Sequence, residues 1–184
     1  MKIFSTDTLR SSIQDANGIA SSNRFRVRMP TLTNTPKPGG GTASDPIETR
    51  VLSLLCTQAR IPGKNFNLLE RQIGMEQIKV VNGYSFPSVA LTFYLTNDYS
   101  ARKYFQEWSE CITSITPPYA AGFHKNYAKS ITIEQLDKHG EVVYEVELQK
   151  AYPENISEVE LNNQAQAAAL EITVSFTFSN FLIK

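Results

Sequence analysis

The chain has 184 residues, 41% of them hydrophobic and 20% charged, the make-up of one globular domain with room for a single core. Eighteen basic residues offset eighteen acidic ones. That balance argues against a protein that grips nucleic acid by its phosphates, a task that takes a basic surface. No apolar run is long enough to span a bilayer, and the first residues lack the basic-then-apolar order of a signal peptide, so the expected site of accumulation is the cytoplasm of the cell that makes it.

Residues 1–22 read as a leader with a short helix, capped by Ser5 or Thr6, apolar at Leu9, Ile13 and Ala16, and ending near Asn17-Gly18. So short a helix has to dock or it frays. Residues 24–29 alternate Arg24, Arg26 and Arg28 with Phe25, Val27 and Met29 and stop at Pro30, the pattern of a strand with a polar face. Residues 31–48 hold a Gly39-Gly40-Gly41 run and little to bury, so a mobile surface arm is expected. Residues 51–59 are read as a strand buried on both faces. Residues 65–73 and 75–81 read as a hairpin hinged at Gly74, with a second turn at Asn82-Gly83.

Residues 88–96 alternate as a strand, and the period then becomes helical. Asp98 is the expected N-cap, followed by Ala101, Tyr104, Phe105, Trp108, Cys111, Ile112 and Ile115 as one apolar stripe before Pro117-Pro118. Burying such a stripe is worth roughly 1.5–3 kcal/mol for each large side chain, so the helix is expected to pack on the sheet. Residues 131–136 and 142–150 form a hairpin about Gly140. The chain closes on a regular strand, Leu170, Ile172, Val174, Phe176 and Phe178 alternating with polar residues.

Motifs for chemistry are lacking. His124 and His139 belong to no metal-ligand spacing, and Cys56 and Cys111 lie far apart in apolar surroundings, as buried free thiols do. No nucleophile elbow, phosphate loop or dinucleotide fingerprint occurs, so neither an enzyme nor a cofactor is expected. Glu145, Glu147 and Glu171 sit on polar strand faces, solvated by default, although a channel wall would suit them as well. Phe93, Phe176 and Trp108 read first as core, with the lining of an apolar ligand cavity in a monomeric β-barrel as the alternative. The strands show few edge defences, which leaves closure into a barrel or pairing between subunits.

The order of features resembles the tail tube proteins of contractile-tailed bacteriophages over about residues 23–182. The resemblance rests on Asn23-Arg24-Phe25-Arg26-Val27, on Ala59-Arg60-Ile61-Pro62, and on the hairpin of residues 65–81. It continues through Asn97-Asp98 and the helix bearing Tyr104, Phe105 and Trp108, then Ala151-Tyr152-Pro153-Glu154-Asn155-Ile156 and the alternating last strand. It implies a mainly β fold of two antiparallel sheets in a sandwich or barrel with one packed helix, spanning residues 23–184 behind the leader 1–22. It further implies a structural subunit that forms stacked hexameric rings within a virion tail, with sheath and baseplate proteins as partners, and a conduit for DNA passed without specific binding. Glu145, Glu147 and Glu171 are the candidate lumen-facing residues. The hairpin residues Asn65, Leu68, Glu70, Gly74, Glu76 and Ile78 are the candidates for reaching the next ring. A tube-initiating baseplate protein of the same fold is the alternative, the longer segment 31–48 being its distinguishing feature.

Overall fold

The computed structural model describes residues 6–15, 18–115, 119–162 and 169–184. The first described element is helix α1 (Thr6–Asp15), on which Leu9 is exposed. Thr6, one of the two expected N-caps, is the first residue of the helix, whereas Ser5 and Asn17 lie outside the described residues. The body is an antiparallel sheet in the order β1-β6-β7-β8-β5-β2, with β9 also paired to β7. Its strands are β1 (Phe25–Arg28), β2 (Cys56–Ala59), β5 (Val89–Tyr94), β6 (Lys129–Leu136), β7 (Val142–Ile156), β8 (Glu171–Thr177) and β9 (Asn180–Ile183). β1 lies beside β2 without pairing to it, so the strands nearly close into a barrel.

The long strand β7 organises this barrel. Its first half pairs with β6 on one side and β9 on the other, whereas residues from Tyr152 onward pair with β8. We call β1-β6-β7-β9 the front sheet and β7-β8-β5-β2 the back sheet. Lys150, at a φ of 53°, is the point where the buried phase shifts from Val146 and Leu148 to Ala151 and Pro153. The segment that sequence reading set apart as Ala151–Ile156 is thus part of the strand, the expected closing strand is β8, and a further strand that sequence reading did not mark, β9, follows it.

Helix α3 (Ser100–Ile112) lays its stripe on the back sheet. Phe105 meets Phe93 and Phe176 at ring-centroid distances of 5.0 and 6.1 Å, and Trp108 meets Phe176 at 5.7 Å. The Trp108 indole N–H donates to the Tyr127 carbonyl at 2.8 Å, satisfying its polar edge inside the core. Tyr99, at a φ of 55°, holds the cap position in place of Asp98, whose carboxylate instead accepts from the Ser100 N–H at 3.4 Å and from the Thr96 hydroxyl. Ile115 lies beyond the helix and is exposed.

Two further expectations are corrected. Residues 51–59 are not one strand. Helix α2 (Thr49–Leu54) precedes β2, burying only Leu52 while Leu54 is 79% exposed. A short apolar run carries no period that separates one helical turn from a strand. The segment 31–48 is a strap and not a free arm. Leu32, Thr35, Ala43 and Ile47 are buried, Asp45 accepts from the Leu32 N–H at 2.8 Å, and Lys37 Nζ sits 2.8 Å from carboxylate oxygens of both Glu107 and Glu110 on α3.

Candidate assembly surfaces

Among the described residues, strands β3 (Asn65–Ile73) and β4 (Glu76–Ser85) pair only with each other. Asn82-Gly83 makes no turn. Both residues lie within β4, where a bulge opposite Asn67 and Leu68 absorbs the extra residue. The turn is at Gly74, whose φ of 67° suits glycine, beside the fully exposed Met75. One face carries Phe66, Tyr84, Leu68 and Val81, followed by a Glu70–Lys79 ion pair at 3.4 Å; the other carries Leu69, Val80 and Ile78. All seven apolar residues are at least 43% exposed. A two-stranded ribbon is marginal in water by itself. An apolar ribbon uncovered on both faces matches a segment that is sandwiched in an assembly. Asn65, Leu68, Glu70, Gly74, Glu76 and Ile78 all lie on this ribbon.

The outer face of the front sheet is the second surface. Cross-strand rows there run Arg26, Glu134, Glu145, Lys184 and Arg28, Thr132, Glu147, Leu182. Glu134 is fully buried beneath two arginines. Arg26 Nε donates to its Oε2 at 2.6 Å, and Arg28 Nη2 lies 2.5 Å from its Oε1. Lys184 Nζ lies 2.8 Å from Glu147 and 3.5 Å from Glu145. Its hydrogen bond to Glu147 holds that carboxyl below the usual glutamate range, and the same contact raises Lys184. The structure therefore brings Glu145 and Glu147 together but places Glu171 elsewhere, opposite Tyr94 on the outer face of the back sheet. Sequence reading took the three arginines as a solvated strand face. It missed Glu134 and Lys184, which the strand register alone aligns with them.

The candidate interior residues are packed as core. Phe93, Phe176 and Trp108 are fully buried against one another or through Phe105, which makes them core and removes the apolar-cavity alternative. Burial pushes the Cys56 thiol up to about 12 and raises Cys111 too, the opposite of an activated thiolate. Among the described residues no three His, Cys, Asp or Glu side chains stand together as metal ligands do, and no helix is long and apolar enough to cross a membrane.

A near-closed antiparallel barrel with one packed helix, a projecting ribbon and unpaired sheet edges defines a structural subunit built to meet other chains. The family model for phage tail tube proteins matches residues 20–184, and the chain belongs to that family. Its role is accordingly that of a structural component of a tail tube, in a virion tail. In fold it is similar to a chain of the anti-feeding prophage baseplate, with 13% identity, a TM-score of 0.61 and coverage of 90% of this chain and 95% of that one. A chain of the sheath-tube complex of an extracellular contractile injection system in its extended state gives 12% identity, a TM-score of 0.57 and 99% coverage of both. The anti-feeding prophage cap gives 17% identity and a TM-score of 0.57, over 90% of this chain and 91% of that one. Among curated protein sequences none matches the chain.

Proposed function

We propose that the chain forms hexameric rings that stack into the tube through which DNA is ejected, and that it does no chemistry of its own. The observation that carries this reading is the β3–β4 ribbon, which is apolar on both faces, largely exposed, and paired with no other strand among the described residues. In the assembled tube the ribbon, from Asn65 through Gly74 to Ser85, lies against the neighbouring ring. The front sheet lines the lumen, with Glu145 and Glu147 on the wall, and Glu171 lies off it. Domain 23–184 builds the tube, and the leader 1–22 is an arm outside it. Sheath and baseplate proteins complete the tail, which assembles in the cytoplasm of the host.

Charge supports the conduit. The wall groups Glu134, Glu145 and Glu147 are each matched by Arg26, Arg28 or Lys184, so passing DNA meets neither a uniformly attractive nor a uniformly repulsive surface. Sedimentation velocity over a range of concentrations tests the reading. Species at six chain masses and multiples of that mass are expected. A single-chain mass throughout, including in the presence of baseplate extract, would contradict it.

A further inference from the structure

We infer that each junction between neighbouring copies carries a column of cations drawn from both, Lys184 of one copy and Arg24, Arg26 and Arg28 of the next, which fits a polyphosphate backbone. The inference rests on the ring reading above, with the front sheet as the wall. Successive strands of that sheet are antiparallel, so its two edge strands, β1 and β9, run in opposite directions. Each is hydrogen-bonded to one strand only among the described residues, β1 with α2 and β2 nearby. Rotation about a ring axis preserves strand direction. The β9 edge of one copy therefore meets the β1 edge of its neighbour as an antiparallel pair, and such head-to-tail contacts close a ring.

The hydrogen-bond parity agrees. The Leu136 N–H donates to the Arg24 carbonyl at 2.9 Å, so Arg26 and Arg28 bond to β6 while Phe25 and Val27 turn their backbone groups away from it. At the other edge Lys184 and Glu145 exchange backbone bonds of 2.9 and 3.4 Å, which leaves Phe181 and Ile183 bonding outward. These outward-bonding residues share the core-facing side in both strands, since Ile183 lies opposite the buried Val146 and Phe181 opposite the buried Leu148. The seam thus joins core face to core face and wall to wall. The register that pairs both four-residue strands in full sets Ile183 against Phe25, Phe181 against Val27, and Lys184 against Arg24.

Charge then sorts by strand. The wall carboxylates Glu134, Glu145 and Glu147 lie on the inner strands β6 and β7, whereas Arg24, Arg26, Arg28 and Lys184 lie at the two edges. In that register Lys184 stands directly opposite Arg24, a pair that destabilises the ladder unless an anion sits between them, while Arg26 faces Leu182 and Arg28 faces Asn180. Arg26 and Arg28 keep side chains 47% and 60% exposed, with guanidinium donors beyond those that Glu134 occupies. Phosphate oxygens match that fork.

Hydrogen exchange on assembled and unassembled protein, combined with pyrophosphate titration calorimetry, tests the column. Assembly should slow exchange at the amides of Phe25, Val27, Phe181 and Ile183 by at least roughly 100-fold. Rings should bind pyrophosphate saturably where the unassembled chain does not, and Arg24→Gln or Lys184→Gln should weaken that binding about 10-fold. Rings whose four amides exchange as in the unassembled chain would overturn the seam. Rings with protected amides that take up no pyrophosphate would overturn the column and leave the ring reading standing. If no rings form at any concentration, the ring reading falls and the column with it.

Discussion

The Arg26 guanidinium reaches Glu134 at 2.5 Å over a carboxylate with no exposed surface, on the sheet face that otherwise looks outward. The two arginines serve as the roof of a buried anion while their own heads keep contact with water. Removing the roof is expected to cost more than removing the anion. The double variant Arg26→Met with Arg28→Met strands a buried charge and should lose about 3–5 kcal/mol. Glu134→Gln leaves two half-exposed guanidiniums and should lose about 1–2 kcal/mol. Urea unfolding of both variants checks the order; equal losses would contradict it.

Trp108 fills the space between α3 and the back sheet and spends its one polar group on the Tyr127 carbonyl. Trp108→Ala should cost about 3–5 kcal/mol through the cavity it leaves. Trp108→Phe should retain most of the packing and lose less. A denaturation midpoint unchanged by Trp108→Ala would show that the helix is not seated as described.

Gly122 marks a close approach behind α3. A Cβ there would come within 2.2 Å of the Cys111 carbonyl oxygen, and the Gly122 N–H donates to the Ile112 carbonyl at 2.8 Å. The neighbour is backbone and cannot swing aside, so Gly122→Ala should destabilise by about 1–3 kcal/mol. A thermal melt of that variant, matched to wild type, would rule the approach out.

Glu147 gives a pH signature. Its folded pKa lies below the ordinary value of 4.5 because Lys184 donates to it. A carboxyl with a depressed folded pKa contributes stability that is full above its unfolded value and is lost as the pH falls through the folded one. In Lys184→Gln the Glu147 titration, followed by carboxyl carbon NMR, should move up to the ordinary range. An unmoved midpoint would mean that the pair is not formed in solution.

Much of the fold is legible in the sequence because it is written in alternation. Val89 to Tyr94, Glu171 to Thr177 and the hairpin about Gly140 follow the period of two, and Tyr104, Phe105 and Trp108 the helical one. The misreadings fall where local chemistry does not decide. Thr49–Leu54 is too short to show a period. Asn82-Gly83 has the composition of a turn, yet a bulge uses it to keep register within β4. The strap looked poor in apolar residues, but Leu32, Ala43 and Ile47 find pockets that only the assembled core supplies. Of the assembly surfaces, the ribbon could be read from residues 65–81. The Arg26–Glu134 and Glu147–Lys184 relationships could not, because residues more than a hundred, or several tens, of positions apart become neighbours only through strand register.

The ribbon bears the central claim, since its apolar side chains stay largely exposed within its own chain. Leu68→Ser with Leu69→Ser should leave unfolding of the barrel within about 0.5 kcal/mol of wild type, as surface changes do. The most direct measurement is negative-stain electron microscopy of wild type and this variant side by side over a range of concentrations. Long tubes with a central hole from wild type, and rings that do not elongate from the variant, are the predicted result. Tubes of equal length from both proteins, or featureless single chains from wild type even with baseplate extract added, would contradict the account.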